Sequence, residues 1–193
     1  MNSASNPIRI IRWEDSRFSI SDIIHLLHSA FKEREEQGLN MGGINISVEE
    51  LEIILQDAVM YVAEREDHLI GVLTARYAER ETRTKPELYC HLGYVAVSPA
   101  EKRSGIGGML LNCLEEEAKK KGCRYIISNT AESAESAVAW HLKQGFRKIK
   151  YTHWKSRNYP SIIFRKELSF SLRRVFPFIS DILYKRSKRH YSH

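Results

Sequence analysis

Cysteine is scarce in this chain of 193 residues: Cys90, Cys113 and Cys123 are the whole set. The number is odd and no two stand at Cys-x-x-Cys spacing, which excludes a disulfide framework. Three reduced thiols fit a cytoplasmic protein. Long apolar runs are missing as well. None reaches the ~18 residues that a membrane span requires, and Met1 to Pro7 is too short and polar for a signal core. Histidine offers no metal constellation: His25 and His28 stand three apart, but no carboxylate or cysteine pattern accompanies them. There is no internal repeat and no low-complexity tract. A soluble, cytoplasmic protein without a bound metal is expected.

What is present is ordinary in bulk and uneven in place. Hydrophobic residues make up 42% and charged residues 28%, a composition able to bury a core in one domain. The net charge is +6. Residues 165 to 193 hold eight Lys or Arg against two Asp or Glu, and the remainder holds 22 of each sign. The basic excess belongs to the C-terminal tail, which argues against nucleic acid as the partner of the whole chain.

Alternation and turn signals predict an order of elements. Ile8 to Trp13 reads as a strand. Ser19 or Ser21 caps a helix with Ile23, Ile24, Leu27 and Phe31 on one side. Lys32 to Ile46 is charged and then rich in Gly and Asn, and reads as a loop. Ser47-Val48-Glu49-Glu50 has capping-box spacing, so a short helix follows. Val59 to Glu64 and Leu69 to Tyr77 form a hairpin, and Glu87 to Val97 is a third strand that ends at Ser98-Pro99. Met109 to Lys121 is a helix stopped by Gly122. Arg124 to Ser128 is a strand, Ala131 to Gln144 a helix, and Phe146 to Trp154 with Ser161 to Lys166 a closing hairpin. The class is α/β with a mixed sheet.

The informative stretch runs from Val95 to Gly108. A strand ends, a turn follows, and Gly105, Gly107 and Gly108 open a helix. The glycines let backbone approach another molecule. The first helical N–H groups and the helix dipole make an anion site suited to a pyrophosphate, beside Lys102 and Arg103. The spacing is not that of a dinucleotide-binding turn, and the Walker Lys-Ser/Thr pair is absent.

The segment Lys102 to Gly108 resembles the Gln/Arg-x-x-Gly-x-Gly/Ala motif of the GNAT superfamily of N-acetyltransferases. Gly105 and Gly107 match, and Lys102 stands where Gln or Arg is usual. Ala137 to Phe146, with Trp140-His141-Leu142-Lys143-Gln144-Gly145-Phe146, resembles that family's helix ending in Leu-Tyr-Glu-Lys-Leu-Gly-Phe. The resemblance spans roughly residues 7 to 167 and implies a domain there, with residues 168 to 193 as a C-terminal extension. It implies a sheet splayed at an acetyl-CoA site and flanked by helices.

The same resemblance implies roles. Val95, Ala96 and Val97 would hydrogen-bond the pantetheine arm. Lys102, Arg103, Ser104, Gly105, Ile106, Gly107 and Gly108 would hold the pyrophosphate, and Asn129 could face the arm. His91 stands where the family often has a glutamate and would be the base, with Glu87 or water as alternatives. Alternation would put Tyr89, His91, Gly93 and Val95 on one face. His141 replaces the family's tyrosine and would be the acid. The Asn common seven residues before that tyrosine is Ala134 here. Cys90 is the one covalent candidate, but direct attack by an amine requires no enzyme nucleophile.

The expected reaction is acetyl transfer from acetyl-CoA to a primary amine of a small polar molecule, of the amino sugar or amino acid class. The alternative is a CoA-binding sensor without turnover. Phe31 to Ile46 and Tyr151 to Ser161 would recognise the acceptor. In the tail, Phe170 to Tyr184 is apolar enough to dock on protein, either its own domain or a second subunit of a homodimer. Sequential rather than opposed apolar and basic residues disfavour a membrane surface.

Overall fold

A computed structural model describes residues 6–168 of the chain. The expectations for Phe170 to Tyr184 lie outside the described residues.

The first helix follows from its cap. Ser19 accepts from the Asp22 amide at 3.2 Å, and its own amide donates to the Asp22 carboxylate at 2.8 Å. This closed box fixes Ser19, rather than Ser21, as the start of α1 (Ile20–Glu36). The helix carries on through Lys32 to Glu36, where a loop was expected. Those side chains are charged but are good helix formers, so polarity there marks a solvated face. The loop proper is residues 37 to 47. Ser47 and Glu50 form a second capping box and start α2 (Val48–Leu55).

Among the described residues seven strands form a sheet: β1 (Arg9–Arg12), β2 (Ala58–Arg65), β3 (His68–Arg80), β4 (Glu87–Val97), β5 (Tyr125–Ala131), β6 (Arg147–His153) and β7 (Pro160–Glu167). Their order is β1-β2-β3-β4-β5-β7-β6, and every neighbouring pair is antiparallel except β4–β5. The remaining helices are α3 (Ile106–Lys120) and α4 (Glu135–Lys143). α3 begins three residues before Met109. α4 begins four residues after Ala131, because β5 runs on to Ala131 and places Asn129 inside the strand rather than after it.

Alternation along β2 separates two cores. Met60 and Val62 pack with Ile23, Leu27 and Leu51 of α1 and α2. Tyr61 and Ala63 face the other side, with Leu110, Leu111 and Leu114 of α3. Val138 and Trp140 of α4 pack on the same side as α3, and the core there extends to Leu168.

A polar hub fastens α3 to the sheet. Glu117 accepts from Arg12 at 3.0 Å, from the Tyr77 hydroxyl at 2.8 Å and from the Tyr61 hydroxyl. Burial pushes the Glu117 carboxyl up, but these donors outweigh it and hold its pKa below the usual value. The two phenols are pushed up, first by burial and then by the carboxylate they serve.

The expected face pattern of β4 is interrupted. Leu92 pairs with Ala75 and Val95 with Leu73, so Gly93 and Tyr94 stand against Thr74 alone. This bulge reverses the alternation. Cys90, Leu92, Val95 and Val97 face α3, whereas Tyr94 and Ala96 face α1 and α2. His91 and Val95 therefore lie on opposite faces, not on one. Thr74 holds the bulge by accepting from the Tyr94 amide at 2.8 Å. A Cβ on Gly93 would lie 2.6 Å from the Thr74 hydroxyl and 3.3 Å from its carbonyl oxygen. Gly93→Ala is expected to lower unfolding free energy by about 1–3 kcal/mol through overpacking. Denaturant unfolding checks it, and a loss below about 0.5 kcal/mol would show that the bulge relaxes freely.

Candidate active site

The parallel pairing of β4 with β5 is limited to Cys90 with Ile126 and His91 with Ile127. Past these residues the strands diverge. Val95, Ala96 and Val97 then lie on the open arm of β4, and Asn129, exposed, lies on the open arm of β5. Backbone groups facing such a gap require a partner from outside the sheet. His91 sits at the point of divergence.

The turn beyond β4 ends in a second set of unused donors. Arg103 (φ 66°) and Gly105 (φ 88°) are left-handed, and this winds the chain back into α3. Gly108 and Met109 donate to the Gly105 carbonyl at 2.9 and 3.1 Å. The amides of Arg103, Gly105, Ile106 and Gly107 meet no acceptor among the described residues. A cluster of free N–H groups at a helix N-terminus is an anion site. Ser104 turns its hydroxyl back onto the Glu101 carbonyl at 2.6 Å. Lys102 is ion-paired to Glu33 of α1 at 2.8 Å.

The glycines divide into two uses. Gly105 provides the left-handed turn, with open space where a Cβ would be. Gly107 and Gly108 instead admit α4: a Cβ would meet the Trp140 indole nitrogen at 3.1 Å and the Gln144 side chain at 3.3 Å. Their missing side chains make room for protein, while the Gly107 amide still points free.

His141 is 6% exposed, and both of its ring nitrogens are engaged. Nδ1 donates to the Ala137 carbonyl at 2.7 Å, which fixes the tautomer, and Nε2 then accepts from the Ser128 hydroxyl at 2.9 Å. Its ring stacks on Phe164 at 4.5 Å. Burial holds its pKa below the usual value, although the Ala137 carbonyl opposes this. His91 is also held low, first by burial and then by the charge of Arg76. Burial drives the Cys90 thiol up to about 12, the opposite of what a nucleophile requires.

The α1–α2 loop and the β6–β7 connection meet. Asn40 and Asn158 exchange amide-to-side-chain hydrogen bonds at 3.1 and 3.0 Å, Asn158 also donates to the Gly38 carbonyl at 2.7 Å, and Arg157 donates to the Asn40 carbonyl. Beside this clasp lies a cavity of about 470 Å³ lined by Glu35, Leu39, Asn40, Met41, Asn45 and Glu50. A second, of about 290 Å³, shares Gly42 and Glu50 with it and reaches Ile54 and Tyr94. Tyr94 stands on the bulge next to the fork. Nothing in the linear sequence joined Glu35 to Glu50 or either to Tyr94. A glycine inside a strand, Gly93, was the available signal for the bulge. Among the described residues no group of His, Cys, Asp and Glu could hold a metal, and no helix is long and apolar enough to cross a membrane.

The acetyltransferase (GNAT) family model matches residues 21–146. The chain belongs to the GNAT acetyltransferase family. A search of curated proteins found no match. Solved GNAT structures are similar in fold. One is a GNAT family acetyltransferase from Elizabethkingia anophelis with acetyl-CoA bound: 20% identical, covering 83% of this chain and 98% of that one, with a TM-score of 0.61. A second is the PaiA N-acetyltransferase of Thermoplasma acidophilum in complex with coenzyme A: 18% identical, 83% and 99% covered, TM-score 0.64. A third is the ribosomal-protein-S18-alanine N-acetyltransferase of Escherichia coli: 14% identical, 86% and 96% covered, TM-score 0.64. This GNAT chain thus shares its fold with acetyltransferases that include one for a ribosomal protein.

His91 and His141 give the GNAT domain an acid-sensitive stability. Both are held below the unfolded value of about 6.5, so below that pH the unfolded chain binds more protons and stability falls. The stability that His141 contributes is full above about pH 6.5 and is lost as pH drops toward its folded pKa. The stability gap between the wild type and His141→Phe should therefore narrow between pH 7.5 and 5.5, read from denaturant midpoints. A constant gap would show that His141 titrates as it does in the unfolded chain.

Proposed function

We propose that this acetyltransferase moves the acetyl group of acetyl-CoA to a primary amine of a small polar molecule, of the amino sugar or amino acid class, by direct attack. The fork between β4 and β5, closed by only two residue pairs, carries the reading. Acetyl-CoA, when bound, supplies an acetyl group activated as a thioester. The free amides of Arg103, Gly105, Ile106 and Gly107 fit a pyrophosphate, with Lys102, Ser104 and Gly108 completing the turn. The open arm at Val95, Ala96 and Val97 fits an extended amide-bearing chain, and Asn129 offers a polar side chain across the gap. The two cavities along the α1–α2 loop are of a size for a small molecule. Asn40, Asn45, Glu35 and Glu50 supply polar recognition there.

His91 is the proposed base. An amine must lose its proton before it attacks, and a neutral imidazole at the fork accepts it. Its lowered pKa keeps it unprotonated at neutral pH. The reversed alternation places it on the same face as Tyr94, which lines the nearer cavity. His141 enters as a positioning group that fixes Ser128 and the α4–β5 contact, since its one N–H is already spent on the Ala137 carbonyl. A thiolate departing from CoA leaves without an enzyme acid at modest cost.

Gly105 allows charge to be tested apart from shape. Asn tolerates a left-handed backbone and Asp has the same outline with a negative charge. Calorimetry should show acetyl-CoA bound by Gly105→Asn, and bound about tenfold or more weakly by Gly105→Asp, a difference of ~1.4 kcal/mol. Equal affinity for the two variants would remove the turn from the site.

For the base, thiol release across an amine panel should show a rate that falls as pH drops below about 6.5 in the wild type. His91→Gln should lower kcat by about a hundredfold and abolish that acidic limb, with acetyl-CoA affinity kept. An unchanged profile would move the role to Glu87 or water. Binding of acetyl-CoA with no thiol release from any amine would favour the sensor reading.

A further inference from the structure

The charge balance of the body conceals a segregation. From Ser136 to Lys166 there are five lysines and three arginines, and no Asp or Glu. Arg165 pairs with Glu167, Lys166 with Glu115, and Arg157 is held by the Asn40 carbonyl. The other five, Lys143, Arg147, Lys148, Lys150 and Lys155, are exposed and make no ion pair among the described residues. Three of them lie on β6.

Among the described residues β6 is the last strand of the sheet and bonds to β7 alone. Its outer edge therefore presents backbone N–H and C=O groups without a partner strand. Neither face of it is buried: all of its residues are exposed except Thr152, which is half-buried. Ile149 and Tyr151, with Trp154 just beyond, put large apolar side chains into solvent.

Lysine on an edge is also how sheets avoid pairing with themselves. A second copy of β6 would set Arg147, Lys148 and Lys150 against the same three charges, and like charges across a strand pair are destabilising. β6 is itself bulged between Lys148 and Lys150, which sets Arg147 and Lys150 on one face and Lys148 with Tyr151 on the other. An acidic strand with carboxylates on both faces meets these charges and covers Ile149 and Tyr151 with its own apolar side chains. A nucleic acid would use the cations but leave the backbone edge unpaired. We propose that β6 is a docking edge for an extended acidic polypeptide segment, which adds to the sheet as an outer strand through β-augmentation. The segment would lie beside His153 and Trp154, where β6 enters the connection clasped by Asn40. This surface is independent of which amine is acetylated.

The test uses the full chain and three fluorescent probes at low salt: a decapeptide repeating Glu-Glu-Val, which carries Glu on both faces of a strand, the same peptide N-methylated at alternate residues, and a ten-nucleotide oligothymidine. Anisotropy should show the acidic peptide bound, about tenfold or more tightly than the N-methylated form, because methylation removes the strand's donors. Lys148→Glu/Lys150→Glu should weaken the acidic peptide by about tenfold or more with an unchanged melting temperature. Lys85→Glu, exposed in the β3–β4 connection, should leave it unaltered. Hydrogen exchange of residues 147–153 should slow when the peptide is present. Equal binding of the methylated peptide, tighter binding of the oligonucleotide, unaltered binding by the double variant, or no binding of the peptide would each overturn the proposal. If the double variant fails to fold, the exchange measurement on the wild-type chain decides it.

Discussion

β4 and β5 run parallel for two residue pairs and then separate, and much of the molecule is arranged around that separation. Parallel pairing requires a crossover, which α3 provides. The same crossover sets the free amides of its first turn at the end of the β4 arm. A fork in a sheet leaves unpaired backbone, which is costly unless water or a ligand reaches it. The bulge at Gly93 and Tyr94 redirects β4 at the fork, and the Thr74 hydroxyl satisfies the amide that the bulge would otherwise strand.

With so little shared ladder, the two halves of the sheet depend on contacts that bypass it. On the α3 side, the half-buried ion pair of Lys166 with Glu115 joins β7 to α3, and Gly107 and Gly108 let Trp140 and Gln144 approach α3. On the other side, the end of α1 reaches across: Glu33 pairs with Lys102, and Arg34 donates to Ser136. The Asn40–Asn158 clasp continues this line. The residues that tie the halves together thus also border the turn that opens α3 and the cavities along the α1–α2 loop. Single exposed ion pairs contribute little alone. Their effect is to fix where two loops meet.

Much was legible in the chain itself, and for physical reasons. Capping boxes are local, so Ser47 announced α2 correctly, while the start of α1 was narrowed to Ser19 or Ser21. Alternation and the Pro99 break marked β4 to the residue. The glycines at 105 and 107, read with the helix that ends at Gly145, identified the family before any contact was known. Polarity misled at Lys32 to Glu36, because charge describes exposure and not backbone conformation.

The sequence by itself determined most of the elements, their order and the family, because these follow from propensities and spacings within a few residues. Only the tertiary structure decided the rest. It showed that Gly93 is a bulge because Thr74, nineteen residues away, fills the space. It showed Gly107 and Gly108 facing Trp140 and Gln144, His141 closed onto Ser128, and Glu35 and Glu50 sharing one cavity. It also collected three exposed cations on β6. These depend on which distant side chains come together, and a linear spacing carries no information about that until the sheet has fixed its register.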